Sequence, residues 1–318
     1  MKNDALVGAL CDAIEPTPFG VTVLQTMRAI AVVQADYVVP PAFTTWPRLV
    51  ERVLSMIRVS SAGASASASD NVPVDLCMHA IALLERLVQP VALLDALPAM
   101  RDELFSTLFS ALERILGSDA LLDDATTPLA NREAAVLLMT VFRLTSSKFS
   151  AVLAADFLSP QHNMVECVAE FMKKAYARRR ISCLLGQNAN FFDSFVNPIS
   201  AATMFCWGIA ENCGAAGAAA LLQHGVINVY VQAFEQADNR CESWTIFVKV
   251  GLRVISNAAR QPLIAQHLRA SSLPQSLERF QFGDTERARS DSINVVFLKS
   301  FLFGRDEVRF VTAVHSLV

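Results

Sequence analysis

Two kinds of helical segment alternate along this chain. The first kind carries large apolar residues at i, i+4 and i+7 or i+8. Leu49, Val53 and Ile57 form one such set, and Leu104, Leu108 and Leu112 another. Met164, Val168 and Phe171 follow, then Ile227, Val231 and Phe234, then Leu273, Leu277 and Phe280. Each set lines one face of a helix of about three turns. The second kind lies between them and is apolar almost all round: Thr22–Gln34, Leu76–Val88, Arg132–Thr145, Ile199–Asn212, Thr245–Ala258 and Ser292–Phe303. A helix apolar on most sides must be covered on most sides. Alternation of the two predicts stacked helical units, each covering the next. The anchors Leu49, Leu104, Met164, Ile227 and Leu273 are 55, 60, 63 and 46 residues apart, so the units are unequal in length.

Composition supports an all-α reading. Hydrophobic residues make up 53% and charged residues 18%, with a net charge of −3, which excludes a disordered chain. Only 12 glycines and 13 prolines occur in 318 residues, too few for a turn-dense β-sandwich or barrel. The breakers also fall between the helical patterns. Thr17-Pro18, Thr45-Trp46-Pro47, Ser159-Pro160 and Asn197-Pro198 each offer a capping side chain followed by proline in a first turn. Pro98, Pro262 and Pro274 suit helix starts, and Asn131 suits the cap of the helix holding Glu133 and Phe142. Gly117, Gly225, Gly283 and Gly304 sit near expected ends. The run from Ser60 to Ser69 has no large side chain to bury, and predicts a flexible loop over 60–72. The rest reads as one continuous domain over 1–318.

The seven cysteines are scattered, odd in number and never spaced as C-x-x-C, which points to thiols in a reducing compartment. Cys206 and Cys213 share a helix face about 10 Å apart, too far for a disulfide. Asp4, Asp12 and Glu15 interrupt any apolar leader, so a cytoplasmic or nuclear location is expected. The stretch from Asn212 to Phe234 has no charged residue and is long enough to cross a bilayer. Gly214, Gly217 and Gly225 break it, and five polar residues interrupt it, so a buried helix pair is expected instead of a membrane span.

No local chemistry of a known kind is present. There is no G-x-x-x-x-G-K-S/T, no G-x-G-x-x-G and no G-x-S-x-G. Gly214-Ala215-Ala216-Gly217 lacks flanking basic residues and reads as a helix-connecting turn. None of His79, His162, His224, His267 and His315 stands at metal-ligand spacing from another ligand. No metal, no cofactor and no catalytic residue is therefore expected. One basic cluster stands out: Lys173, Lys174, Arg178, Arg179 and Arg180. It reads as a solvated helix C-terminus, with an import signal or an acidic-partner site as the functional alternative. On a net-acidic chain it does not predict nucleic-acid binding.

Residues 199–282 carry a family resemblance. Gly208-Ile209-Ala210-Glu211-Asn212 precedes Leu221-Leu222-Gln223-His224-Gly225-Val226-Ile227, and Asn228 to Phe234 follows. Val254-Ile255-Ser256-Asn257-Ala258-Ala259 starts the same order again, with Leu263 to Leu268 and Ser272 to Phe280 after it. Asn212 and Asn257 are 45 residues apart. These two units resemble armadillo repeats, and the remainder is similar in its helix grammar. The resemblance implies an armadillo- or HEAT-like right-handed superhelix whose third helices line a concave groove. It further implies a non-enzymatic scaffold or adaptor that holds an acidic or extended peptide there. Asn212 and Asn257 would bond the peptide backbone, with Trp207 beside them, although Trp207 stands five residues before Asn212 where the family has four. Arg28, Arg86, Arg143, Arg253 and Lys299 recur on the candidate groove helices and would supply charge. The competing reading has the arginine stems lying over apolar neighbours and the asparagines capping helix ends. Two other functions stay open: a regulator of a chaperone or small GTPase acting like an exchange factor, and an enzyme with a dispersed site.

Overall fold

The computed structural model describes residues 4–35, 46–63, 75–87, 93–118, 121, 128–146, 155–177, 198–235 and 251–279. Among these residues every regular element is helical, so the fold is all-α. The helices are α1 (Asp4–Asp12), α2 (Pro18–Ala35), α3 (Trp46–Gly63), α4 (Leu76–Leu87), α5 (Leu93–Gly117) and α6 (Pro128–Ser146). After them come α7 (Met164–Ala177), α8 (Pro198–Asn212), α9 (Gly214–Gln223), α10 (Val226–Glu235), α11 (Pro262–Arg269) and α12 (Leu273–Arg279). Residues 251–258 are also helical.

The two kinds of segment form two rows. The all-round apolar helices touch in succession: α2 packs on α4, α4 on α6, and α6 on α8. The single-stripe helices do the same, with α3 on α5, α5 on α7, α7 on α10 and α10 on α12. Cross-row contacts join α3 to α4, α5 to α6 and α7 to α8. The stripes Leu49/Val53/Ile57 and Leu104/Leu108/Leu112 are fully buried. Burying each such leucine or isoleucine is worth about 1.5–3 kcal/mol. A contiguous cluster of buried residues runs from Cys11 to Leu277.

Particular residues lock the rows. Phe157 lies between Phe105 of α5 and Phe205 of α8, with ring centroids 5.2 and 6.2 Å away in edge-to-face arrangements. Its neighbour Asp156 accepts from Arg101 Nε at 2.6 Å, which fixes that turn on α5. Gly208 brings α8 against α6, since a Cβ there would lie 2.0 Å from Thr145 Oγ1. On the other row Arg58 of α3 pairs with Glu103 of α5 at 2.5 Å.

Several helix ends match the sequence reading. Gly20 N donates to Thr17 Oγ1 at 3.2 Å, so Thr17 caps α2. Proline occupies the first position of α2, α8 and α11, where its missing N–H costs nothing. Gly225, at φ 82°, divides the uncharged stretch into α9 and α10. No described helix is long and apolar enough to cross a membrane.

Other ends differ. Pro98 lies inside α5, which starts at Leu93 and not at the proline. Ser159-Pro160 opens no helix; α7 begins at Met164 and is capped by Asn163. Asn163 Oδ1 accepts from Glu166 N at 3.1 Å, and Asn163 Nδ2 donates to Glu166 Oε2 at 3.1 Å. That reciprocal pair satisfies a helix-end donor, which Ser159 does not. Asn131 falls within α6, which opens three residues earlier at Pro128. Residues 60–63 belong to α3, and residues 64–72 lie outside the described residues. The turn expected over Gly214–Gly217 is confined to its start. Gly214 has φ 58°, and Gly217 already packs in α9, where a Cβ would lie 2.7 Å from Ile209 O.

Candidate functional site

Arg28, Arg86 and Arg143 lie on α2, α4 and α6, three successive helices of one row. Their surroundings are set by Glu85, which is only 2% exposed. The Glu85 carboxylate forms two ion pairs, with Arg86 Nε 3.2 Å from Oε2 and Arg143 Nε beside Oε1. One buried anion thus holds guanidiniums from two neighbouring helices, whose side chains remain 26% and 29% exposed. A buried charge must be paired or it neutralises, and here it is paired twice.

Arg28, on α2, feels the same charges. Burial pushes its guanidinium below the ordinary arginine range, Arg86 and Arg132 lower it further, and Glu85 opposes them. Arg132, on α6, is thus a fourth cation of this face that the sequence reading did not select. The signal was present: Arg132 and Arg143 are eleven residues apart, about 20° from perfect alignment on a helix. His79 of α4 sits in the same field. Its ring meets Gln25 of α2 at 3.0 Å and Asp75 at 3.3 Å. Burial pushes that imidazole down, Asp75 raises it, and Arg28 and Arg132 lower it.

An aromatic pair joins α6 to α8. Phe142, next to Arg143, stacks on Trp207 with centroids 6.0 Å apart and planes at 25°. Both rings are half-buried. Asn212 does not share this face. Five residues on a helix turn through about 500°, which leaves Asn212 about 140° away from Trp207. The residue four on is Glu211, and it is exposed. Arg253 and Asn257 are half-buried and four apart, so they share a face of the 251–258 helix. Lys299 lies outside the described residues.

The basic cluster at the end of α7 is on the other row. Lys173 pairs with Glu170, Lys174 is exposed, and Arg178, Arg179 and Arg180 lie outside the described residues. Lys174 borders a cleft of about 310 Å³ between α5 and α7, which Phe109, Glu113, Glu166, Cys167 and Glu170 also line. Burial pushes the Cys167 thiol up to about 12, and Glu113 and Glu166 add to it, so it stays protonated and is no nucleophile near neutral pH. Among the described residues no group of His, Cys, Asp or Glu is placed to hold a metal ion. Cys11, Cys77, Cys167, Cys206 and Cys213 are all free thiols.

The fold and this face define an all-α protein of two helix rows, with a cationic stripe along one of them. No family model matches the chain, and no curated protein matches it. Its structure is similar to the crystal structure of an engineered protein, a target of the Northeast Structural Genomics Consortium. The two agree with a TM-score of 0.56 at 12% sequence identity, over 92% of this chain and 96% of the other. At that identity the likeness concerns the fold alone.

Proposed function

We propose that the chain is a non-enzymatic, armadillo-like scaffold or adaptor that binds an acidic, extended protein segment along the row α2, α4, α6 and α8. The observation that carries this reading is the placement of Arg28, Arg86 and Arg143 on three successive helices of one row, two of them paired with one buried carboxylate. Guanidiniums held in place lose little freedom on binding and offer forked donors to carboxylates. The stacked Phe142 and Trp207 supply an apolar contact beside them, as interface anchors do. Five free thiols and the lack of a described membrane-crossing helix agree with work in the cytosol or nucleus.

The test is a binding titration of the full chain with labelled acidic peptides, repeated with Arg28→Gln and Arg86→Gln. Each charge-assisted contact is worth about 1.5–3 kcal/mol, so each variant should weaken binding about tenfold or more. Binding that both variants leave unchanged would refute the reading. Reversing all three arginines is a poor probe, because Arg143→Glu would set a second carboxylate against buried Glu85.

A further inference from the structure

We propose that His79 is an acid-sensitive latch between α2 and α4: neutral, it ties the two helices together, and protonated, it lets that tie go. The latch is independent of any bound peptide. α2 packs on α4, and Gln25 Nε2 of α2 lies 3.0 Å from His79 Nε2 of α4. An amide nitrogen only donates, so the ring nitrogen accepts here, and it can do so only without a proton. Asp75 Oδ2, in the turn before α4, lies 3.3 Å from the same Nε2. A carboxylate only accepts. Nε2 thus has one partner that needs its lone pair and another that needs a proton on it. The neutral ring serves Gln25 on the neighbouring helix, and the charged ring serves Asp75, four residues before it. Protonation trades a bond between helices for one within a single helix end.

The surroundings favour the neutral ring. The side chain is 13% exposed, and Nδ1 is closed off from solvent with no hydrogen-bond partner among the described residues. Burial weighs most against the charged form, Asp75 favours it, and the guanidiniums of Arg28 on α2 and Arg132 on α6 oppose it. The balance sets the ring below the ordinary histidine range. The other charges on the helices around it have their own partners or face water. Glu85 holds Arg86 and Arg143, and Glu133 holds Arg114. On α3, Arg48 pairs with Asp12, Arg52 donates to Ile14 O, Arg58 pairs with Glu103, and Glu51 is exposed. A histidine pushed down binds its proton less readily in the folded chain than in the unfolded one. The latch therefore holds above the ordinary value near pH ~6.5 and weakens as pH falls below it.

The experiment is amide hydrogen exchange on the full chain at about pH 7.5 and about pH 5.5, corrected for intrinsic exchange, with His79→Gln as the control that cannot titrate. All other histidines are common to the two chains. Amides of α2 around Leu24 and Met27 should lose protection at the lower pH in the parent chain, relative to those of α5 around Leu108. His79→Gln should abolish that loss. Asp75→Asn removes the acceptor that favours the charged ring, so it should deepen the loss. Nitrogen NMR of the His79 ring in the parent chain needs no variant. At neutral pH the proton should sit on Nδ1, and acid should add the second one at Nε2. The same acid loss in the parent and in His79→Gln would overturn the latch. So would unchanged protection of α2 in the parent, or a proton already on Nε2 at neutral pH.

Discussion

Arg143 of α6 closes on the buried carboxylate of Glu85, one helix earlier in the same row. The pair joins two helices and orients a guanidinium that is still partly in water. Its energy should therefore be measurable as coupling. A double-mutant cycle of Glu85→Gln and Arg143→Gln in urea unfolding should give about 1.5–3 kcal/mol, given a 2%-exposed acid. The same cycle on Arg58 and Glu103, with side chains 52% and 36% exposed, should give less than about 1 kcal/mol. Equal coupling in the two cycles would mean that burial of Glu85 adds nothing.

Gly208 is the contact point of α6 and α8. A Cβ there meets Thr145 Oγ1 at 2.0 Å and Phe142 Cδ2 at 3.1 Å. Gly208→Ala should cost about 1–3 kcal/mol in spite of alanine's better helix propensity. Adding Thr145→Ala should recover part of that loss. A Gly208→Ala variant as stable as the parent would show that the helices part freely.

Asn163 caps α7 and exchanges hydrogen bonds with Glu166. Asn163→Ala should cost about 1 kcal/mol in denaturant unfolding, and Ser159→Ala well under half of that. The reverse order would restore Ser159-Pro160 as the helix signal.

Alkaline pH should weaken the fold through its thiols. Burial pushes Cys206 up to about 12, Cys213 up to about 11 and Cys167 up to about 12. An unfolded thiol ionises near pH ~8.5, so above that pH the unfolded chain loses protons that the folded chain keeps. Stability from these groups is fully present below the unfolded value and is lost as pH rises toward the folded ones. Unfolding free energy should fall between about pH 9 and pH 11, and Cys206→Ala should make the fall shallower. A slope unaffected by Cys206→Ala would count against its burial.

The rows were legible in the sequence because burial leaves a period. Leu104, Leu108 and Leu112 repeat once per turn on a helix covered on one side, while the helix from Leu76 has almost no polar face. Those two patterns correspond to the two rows in contact. Arg28, Arg86 and Arg143 were visible as recurrent cations, but their arrangement was not. It depends on Glu85, whose burial comes from α6 packing over α4, a contact between residues 58 positions apart. Asn163 escaped because a capping side chain is defined by geometry at the helix end, and Ser159-Pro160 imitates it in sequence. Asn212 was misleading in another way. Its motif places it near Trp207, while helix geometry turns it about 140° aside.

The central claim is that a protein partner lies on the row containing α2, α4, α6 and α8. Site-specific photo-crosslinking in native lysate tests it most directly, with the probe placed at exposed Arg132 or Glu211 on that row, or at exposed Glu51 or Glu170 on the other. The account predicts a discrete crosslinked partner from Arg132 and Glu211, lost in the Arg28→Gln background, and none from Glu51 or Glu170. Crosslinks to the same partner from Glu51 and Glu170 alone would contradict it.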